Sequence, residues 1–248
     1  MQQYFIKENY NKQNFILSKD DSYHITKVMR KKVGDKVFVA FLNNKRYVCE
    51  LVKVDIETVE IFPIEEVTHS TELDVDITIA IPPLKNDKIE YLIQKATELG
   101  VNNIVLFDSE RNIAKIKADK FDLKKKRWSK IAKEASEQSK RGIIPTINYE
   151  KTIFSLIEKY KDIDYKLIAY ENESANIDNN NLSKFLQGDL YKKTVIAIFG
   201  SEGGLSANEV KVFNDNKYQL VGLGKRILRA ETAPLYFISC LAYFSELN

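Results

Sequence analysis

The residues of this sequence best suited to chemistry lie in a glycine-rich turn, "IAIFGSEGGLSANEV", at positions 196–210. Three glycines fall within five residues, Gly200, Gly203 and Gly204, which permits a sharp bend and a close backbone approach to a ligand. Ser206 followed by Glu209 is typical of a capping box, so a helix is expected to begin there. A turn between a strand and a helix N-terminus is where open parallel sheets bind ligands, although glycines also occur in plain connections.

A second glycine-rich turn, "LVGLGKRILRAETAPL", follows at positions 220–235. A strand leads into Gly224, then come Arg226 and Arg229, and then a helix for which Thr232 is a candidate cap. Neither turn carries the GxGxxG pattern with its later acidic residue, or the GK[ST] of a P-loop. Both nucleotide-binding motifs are therefore disfavoured.

Metal and hydrolase chemistry find little support. The chain has only two histidines, His24 and His69, and lacks CxxC or HxxxH spacing, which leaves too few ligands for zinc. No GxSxG elbow is present. Cys49 and Cys240 lie far apart in apolar surroundings, which indicates buried thiols instead of a disulfide or metal ligands.

Composition indicates an ordinary globular protein. The chain has 248 residues, 44% hydrophobic and 29% charged, with a net charge of +3. The apolar run from Ala233 to Phe244 is too short to span a bilayer, and the N-terminus does not resemble a signal peptide, so a cytoplasmic location is expected. Between Arg111 and Arg141 there are twelve basic residues against four acidic ones, which favours either a polyanion partner or a solvated helix face.

The chain changes character near residues 67–73. Before this point, four segments rich in β-branched and aromatic residues predict strands, with one short helix that residues 20–22 could cap. After it, strands alternate with helices, which indicates an α/β domain with a parallel sheet. The last helix is apolar on nearly every side, so it is expected either to be central to the domain or to cover a partner subunit, and we favour the second.

Together, "FGSEGGLSANEV" and "LGKRILRAETA" resemble the G-P-E-G-G-[FL]-[ST]-x-x-E and L-G-x-R-I-L-R-x-E-T-A motifs of the RsmE family, the 16S ribosomal RNA uracil-N3 methyltransferases of the SPOUT superfamily. Similar segments are "HITKVMRKKVGD" from His24, "KNDKIEYLIQKATELGV" from Lys85 and "EASEQSKRGIIP" from Glu134. The resemblance covers nearly the whole chain. It departs at Ser201, Ala230, Lys140 and Gln3, where the family usually has proline, threonine, glycine and arginine; the first two should loosen the turns slightly.

The resemblance implies a PUA-like β-barrel RNA-binding domain at residues 1–68 and a SPOUT α/β domain with a C-terminal trefoil knot at residues 74–248. It also implies a homodimer that binds S-adenosylmethionine without a metal and methylates 16S rRNA, in the small ribosomal subunit. Two alternatives stay open: a related methyltransferase acting on a ribose 2'-hydroxyl or another base, and a non-catalytic RNA-binding assembly factor.

Roles for individual residues follow from the resemblance. Arg229, then Arg226, would stabilise charge on the uracil ring, and Glu202 or Glu231 would accept its proton or hold a structural position. The cofactor-binding candidates are Gly200, Glu202, Gly203, Gly204, Leu220, Leu223, Gly224, Ile227 and Leu228, with Ala169 and Glu171 as a third wall. The RNA-binding candidates are Lys27, Arg30, Lys31, Lys32, Arg111, Lys124, Lys126, Arg127 and Arg141.

Overall fold

The computed structural model describes residues 1–85, 87–112, 114–116, 118–170 and 180–247. The chain divides into two compact units, and the first consists of Met1–Glu72 together with Ser136–Ile143. The second consists of Leu73–Ala135 and Ile144–Asn248. No local pattern in the sequence predicts that a segment so far along the chain belongs to the first unit.

The first unit is built on a five-stranded mixed sheet that curls into a half-barrel. Its strands are β1 (Gln3–Ile6), β2 (Phe15–Ile16), β3 (Lys36–Phe41), β4 (Arg46–Val54) and β5 (Val59–Glu66). The order is β1-β3-β4-β5-β2, with β1 parallel to β3 and the other pairs antiparallel. Alternate side chains such as Val37, Val39 and Leu51 fill the core, as the two-residue period of strands requires.

Between β2 and β3 lies α1 (Lys19–Tyr23), which continues into a π-helical turn at His24–Val28. The predicted cap within residues 20–22 is wrong, because Ser18 caps the helix by accepting a hydrogen bond from the amide of Asp21. His24 accepts or donates a 3.0 Å hydrogen bond with the Tyr4 hydroxyl, so this histidine has a packing role in the unit.

The second unit contains a six-stranded sheet in which every pair is parallel, as the sequence predicted. Its order is β11-β9-β10-β6-β7-β8. The strands are β6 (Asp76–Ile81), β7 (Asn103–Phe107), β8 (Thr146–Glu150), β9 (Tyr165–Ala169), β10 (Thr194–Ile198) and β11 (Gln219–Val221). Because all strands run the same way, their carboxyl ends meet at one edge.

Helices cover both faces of this sheet. They are α2 (Lys88–Glu98), α3 (Ala118–Ser139), α4 (Ile153–Lys159), α5 (Asn180–Leu186), α6 (Ala207–Asp215) and α7 (Thr232–Glu246). Successive strand residues enter opposite cores: Ala197 packs with residues of α2 and α7, and Ile196 packs with residues of α4 and α6. Burial on both faces explains why the inner strands β6, β7 and β10 read as continuous apolar runs.

The C-terminal helix α7 has one buried face and one exposed face. Phe237, Ile238 and Leu241 are fully buried, whereas Tyr236 and Tyr243 are exposed. The predicted Thr232 cap is wrong: the residue at the cap position is Glu231, whose side chain makes no capping hydrogen bond, and Thr232 is the first helical residue. Within the described ranges, no helix is both long and apolar enough to cross a bilayer.

Candidate active site

The first glycine-rich turn leaves β10 and bends back on itself before α6. A Cβ at Gly200 would lie 2.8 Å from the backbone of Gly204, so only glycine fits there without movement. Gly204 has a positive φ of 69° and donates a 2.9 Å hydrogen bond to the carbonyl of Ser201. The tight turn therefore requires glycine at both positions.

The capping box predicted at the start of α6 is present. Ser206 accepts from the amide of Glu209, and the Glu209 carboxylate accepts from the amide of Ser206. Glu209 is only 1% exposed, and its other oxygen accepts from the amide of Glu110 at 2.9 Å. This carboxylate ties the turn to the loop that follows β7.

Arg111 strengthens the same connection. Its guanidinium donates to the carbonyl of Gly203 at 3.4 Å, and its own carbonyl accepts from the Ser201 hydroxyl at 3.4 Å. That hydroxyl also accepts from the Gly203 amide at 3.3 Å. Ser201 thus bonds the turn on two sides, an arrangement that proline at this position could not provide.

The second glycine-rich turn leaves β11 and runs to the start of α7. Gly224 has a φ of 97°, and the space where its Cβ would stand is open. Arg226 and Arg229 are exposed, as is Ile227 at 72%. The carbonyl of Arg229 accepts from the amides of Thr232 and Ala233, which fixes this arginine at the start of the helix.

The two turns face one cavity of about 800 Å³ at the carboxyl edge of the sheet. A cavity of this size accommodates a nucleoside-sized ligand. Its lining consists of Lys88, Arg111, Ala169, Tyr170, Phe199–Leu205, Gly222–Ala230 and Ala233.

Most of the predicted cofactor residues line this cavity, as do three of the four catalytic candidates, Arg226, Arg229 and Glu202. The fourth, Glu231, lies just behind the lining and contacts it through Lys88. Leu220 does not line the cavity: it lies on β11 before the turn begins and packs in the core on the α4 and α6 side of the sheet. The structure therefore does not bring Leu220 together with the other cofactor candidates. Glu171 lies outside the described residues.

Sequence reasoning missed Lys88, a cavity residue that contacts both candidate carboxylates. Its ammonium lies 3.2 Å from Glu231 and 3.5 Å from Glu202. The interaction with Glu231 is the main cause of a raised pKa of Lys88. The pKa of Glu231 is lowered, since desolvation, which acts to raise it, is outweighed by a backbone hydrogen bond and by Lys88.

The cavity suits a ligand with both polar and charged groups. Gly203 and Gly204 let a ligand approach the backbone of the first turn closely, because they carry no side chains, and Gly224 leaves open space on the second turn. Such walls can contact an adenine or ribose, while other charged side chains of the lining can face an amine and a carboxylate. These are the groups of S-adenosylmethionine, so the residues present fit that cofactor.

Comparison with known proteins agrees with this geometry. Residues 71–242 match a family model described as an RNA methyltransferase domain, and residues 17–63 match an RNA methyltransferase PUA domain. The chain is 34% identical to ribosomal RNA small subunit methyltransferase E of Bacillus subtilis, across 100% of this chain and 98% of that protein. The chain belongs to the RsmE family of RNA methyltransferases.

Two further RsmE relatives extend the comparison. The enzyme of Mesomycoplasma hyopneumoniae is 33% identical, over 96% of this chain and 98% of that protein. A crystal structure of the Neisseria gonorrhoeae enzyme, bound to S-adenosyl methionine, is 25% identical with a TM-score of 0.82, covering 97% of this chain and 96% of the other.

The basic residues of this RsmE member that were predicted to contact RNA lie in three places. In the first unit, Lys27, Arg30 and Lys32 are exposed and Lys31 is half-buried. On α3, Lys124, Lys126 and Arg127 are exposed. Arg127 pairs with Glu90 at 2.6 Å, so part of its charge is already neutralised. Arg111 lies at the cavity.

The position of Arg141 in the structure contradicts its predicted contact with RNA. Its side chain is only 2% exposed and donates to Glu72 at 2.5 Å and 3.0 Å. A phosphate group cannot reach a guanidinium that is buried and already bound to a carboxylate. Arg141 is therefore a structural residue of the first unit.

Two departures from the family motifs are also structural. Gln3 is 1% exposed and its side-chain amide donates to the carbonyl of Arg141 at 2.5 Å, so it holds a buried hydrogen bond within the first unit. Lys140 has a φ of 63°, a conformation that favours glycine, which is the usual family residue there. Its carbonyl accepts from Arg46 and Thr71.

The cysteines make no disulfide. Cys49 is buried, which raises its thiol pKa to about 12, and Cys240 is half-buried. Among the residues the structure describes, no group of three or more histidine, cysteine, aspartate or glutamate side chains could hold a metal ion.

Proposed function

We propose that this chain transfers a methyl group from S-adenosylmethionine to N3 of a specific uridine in 16S ribosomal RNA, in the assembled small subunit. The observation that carries the proposal is one cavity bounded by both glycine-rich turns and lined by Arg229, Arg226 and Glu202. The small-subunit rRNA methyltransferases among its relatives, 34% and 33% identical over nearly their whole length, support the substrate.

The cofactor would bind between the two turns. Gly200, Gly203 and Gly204 form one wall and residues 222–228 form the other. When bound, S-adenosylmethionine supplies a methyl group that its positively charged sulfur has already activated for transfer. The chain's own residues then have to orient the uracil, exclude water and promote loss of the N3 proton.

Arg229 is the residue proposed to promote that loss. Uracil N3 can attack only once its proton has left, and the resulting negative charge is shared with the ring oxygens. A guanidinium facing those oxygens stabilises the anion, and each unit by which it lowers the pKa of N3 is worth about 1.4 kcal/mol. Arg229 is exposed at the cavity, with Arg226 three residues earlier on the same turn.

Glu202 and Glu231 are the candidate proton acceptors. The side chain of Glu231 is 13% exposed and lies 3.2 Å from Lys88, whereas Glu202 is 28% exposed with Lys88 at 3.5 Å. A more accessible and more weakly paired carboxylate is the better acceptor. We therefore assign Glu202 to the proton and Glu231 to a structural position.

The ribosomal RNA would bind along exposed basic residues, with phosphate contacts giving affinity and the displaced uridine giving specificity. The proposed contacts are Lys27, Arg30, Lys31 and Lys32 on a PUA-like domain of residues 1–68, and Lys124, Lys126 and Arg127 on α3, with Arg111 near the reacting base. Mutating these lysines and arginines should reduce the salt dependence of RNA binding.

We further propose that residues 74–248 form the knotted methyltransferase domain of a homodimer in the cytoplasm. The exposed aromatic face of α7, with Tyr236 and Tyr243, supports a partner subunit there, because a contiguous exposed apolar patch marks an interaction surface. Membership of the RsmE family, whose fold has a C-terminal trefoil knot, supports a threaded C-terminal segment.

A transfer assay tests the proposal. Small subunits purified from a strain lacking this protein are incubated with the enzyme and methyl-labelled cofactor, and the digested RNA is analysed by mass spectrometry. The expected product is 3-methyluridine at one position. Label in 2'-O-methyl nucleosides would instead indicate a ribose methyltransferase, and absence of label with intact RNA binding would indicate a non-catalytic factor.

A further inference from the structure

Lys88 occupies a position that is unfavourable for a lysine unless something compensates. It is the first residue of α2, and the preceding Asp87 makes no side-chain capping bond to the helix. A helix N-terminus carries a partial positive charge that repels a cation in its first turn. The side chain of Lys88 is 34% exposed and lines the cavity, where carboxylates can compensate its charge.

The compensation comes from two carboxylates on two different turns. Glu202 belongs to the turn after β10, and Glu231 ends the turn after β11. Lys88 lies 3.5 Å from the first and 3.2 Å from the second. Without a cation between them, two glutamates this close to one ammonium would repel each other.

We propose that Lys88 is a positioning residue that joins the two glycine-rich turns through Glu202 and Glu231, with Glu231 as its principal partner. This inference rests on the proposed function, since it explains how the cofactor cavity keeps its shape and why Glu202 is the carboxylate left available to the uracil.

The other charged residues around the cavity agree with Glu231 as the principal partner of Lys88. Arg111, Lys225, Arg226 and Arg229 are the other cations of its lining, and of these Arg229 acts electrostatically on Glu231. Glu231 therefore has Lys88 and Arg229 to hold it ionised. The lowered pKa of Glu231 and the raised pKa of Lys88 support the pairing, and removal of Lys88 should move the Glu231 titration to higher pH.

The test compares Lys88→Met with Lys88→Arg, which keeps the charge, and with Lys95→Met as a control. Lys95 lies on the same helix and pairs with Glu98 at 2.9 Å, away from the cavity lining. S-adenosylmethionine affinity is measured by calorimetry from about pH 3 to 8, because the lowered pKa of Glu231 places its protonation below pH 4.5. Lys88→Met should bind about tenfold more weakly at pH 7, with the acid-side loss of binding shifted to higher pH. Lys88→Arg should restore most of the affinity, and Lys95→Met should match wild type.

Affinity of Lys88→Met equal to wild type at every pH would overturn the proposal. Double-mutant cycles on cofactor affinity add a second criterion. The coupling free energy between Lys88 and Glu231, measured with Glu231→Gln, should exceed the coupling free energy between Lys88 and Glu202, measured with Glu202→Gln. Equal couplings would overturn the assignment of Glu231 as principal partner.

A measurement without cofactor separates this proposal from the proposed function. Carboxyl-labelled glutamate in the free protein is titrated by NMR, with the Glu231 signal assigned from Glu231→Gln. Glu231 should titrate at lower pH in wild type than in Lys88→Met, whether or not the protein methylates RNA. Identical midpoints would refute the Lys88 pairing, whereas failure of the proposed function would appear only in the transfer assay.

Discussion

Arg141 belongs to the first unit and Arg229 to the second, and their sequence surroundings are similar, since each is followed by a small residue and has a basic residue within the three positions before it. Their environments in the structure are opposite. Arg141 is 2% exposed and binds Glu72, while Arg229 is exposed at a cavity of about 800 Å³. The first arginine uses its hydrogen bonds within the fold, and the second keeps them available for a ligand.

The difference shows what an arginine needs in order to act on a substrate. A guanidinium donates in a planar fork, and once a carboxylate fills that fork a second anion gains little. Around Arg141, the carboxylate of Glu72 also accepts from the amide of Gly142 at 2.8 Å. Arg46 donates hydrogen bonds to the carbonyls of Lys140 and His69, so the polar groups of this cluster bind one another.

The largest effect on stability is expected for Arg141→Ala. It removes one partner of a buried pair and leaves Glu72 without its guanidinium, which should lower the free energy of unfolding by about 3 kcal/mol. Urea denaturation measures it. Lys130→Ala is the control, because its pair with Glu134 at 4.0 Å is exposed and should contribute less than about 1 kcal/mol. An Arg141→Ala variant as stable as that control would show that the buried pair contributes nothing.

In contrast to Arg141→Ala, Arg229→Ala should lower the rate of methyl transfer and leave stability nearly unchanged. Removing an exposed guanidinium leaves no buried charge, so stability should stay within about 0.5 kcal/mol of wild type. Methyl transfer to the RNA should fall by about 10²- to 10³-fold, the usual effect of losing one group that stabilises a developing anion. Single-turnover assays at saturating cofactor measure this, and a wild-type rate would remove Arg229 from the chemistry.

Gly200→Ala probes the turn on which the cavity depends. The added methyl group would stand 2.8 Å from the backbone of Gly204, so the turn must move. Cofactor affinity should fall by about tenfold or more, since the wall of the site shifts. Gly142→Ala is the matched control, because its nearest neighbour is the flexible Arg46 side chain at 3.6 Å. Equal affinities in the two variants would contradict the role given to the turn.

Much of the second unit could be predicted because its signals are local. The capping box of Ser206 and Glu209 lies within four residues, and the buried face of α2 follows from the spacing of Ile89, Leu92, Ile93 and Ala96. Alternating strands and helices indicated the parallel sheet. The carboxyl ends of parallel strands then had to place both glycine-rich turns at one edge.

The rest depended on contacts between distant residues. Lys88 and Glu202 are 114 positions apart, and Arg141 and Glu72 are 69 apart. A local sequence pattern carries no information about such pairs. The sequence therefore does not indicate Lys88, and it predicts a surface position for Arg141. The edge strands β1 and β8 were also missed, because the short segments QYFI and TINYE carry too few residues for a clear period.

The most direct test of the methyl-donor site is a calorimetric titration of the purified wild-type protein with S-adenosylmethionine. Saturable binding is predicted at one site per chain, weakened in Gly200→Ala and retained in Arg229→Ala. Absence of binding at millimolar cofactor, or binding unchanged by Gly200→Ala, would contradict the claim that the two glycine-rich turns form that site.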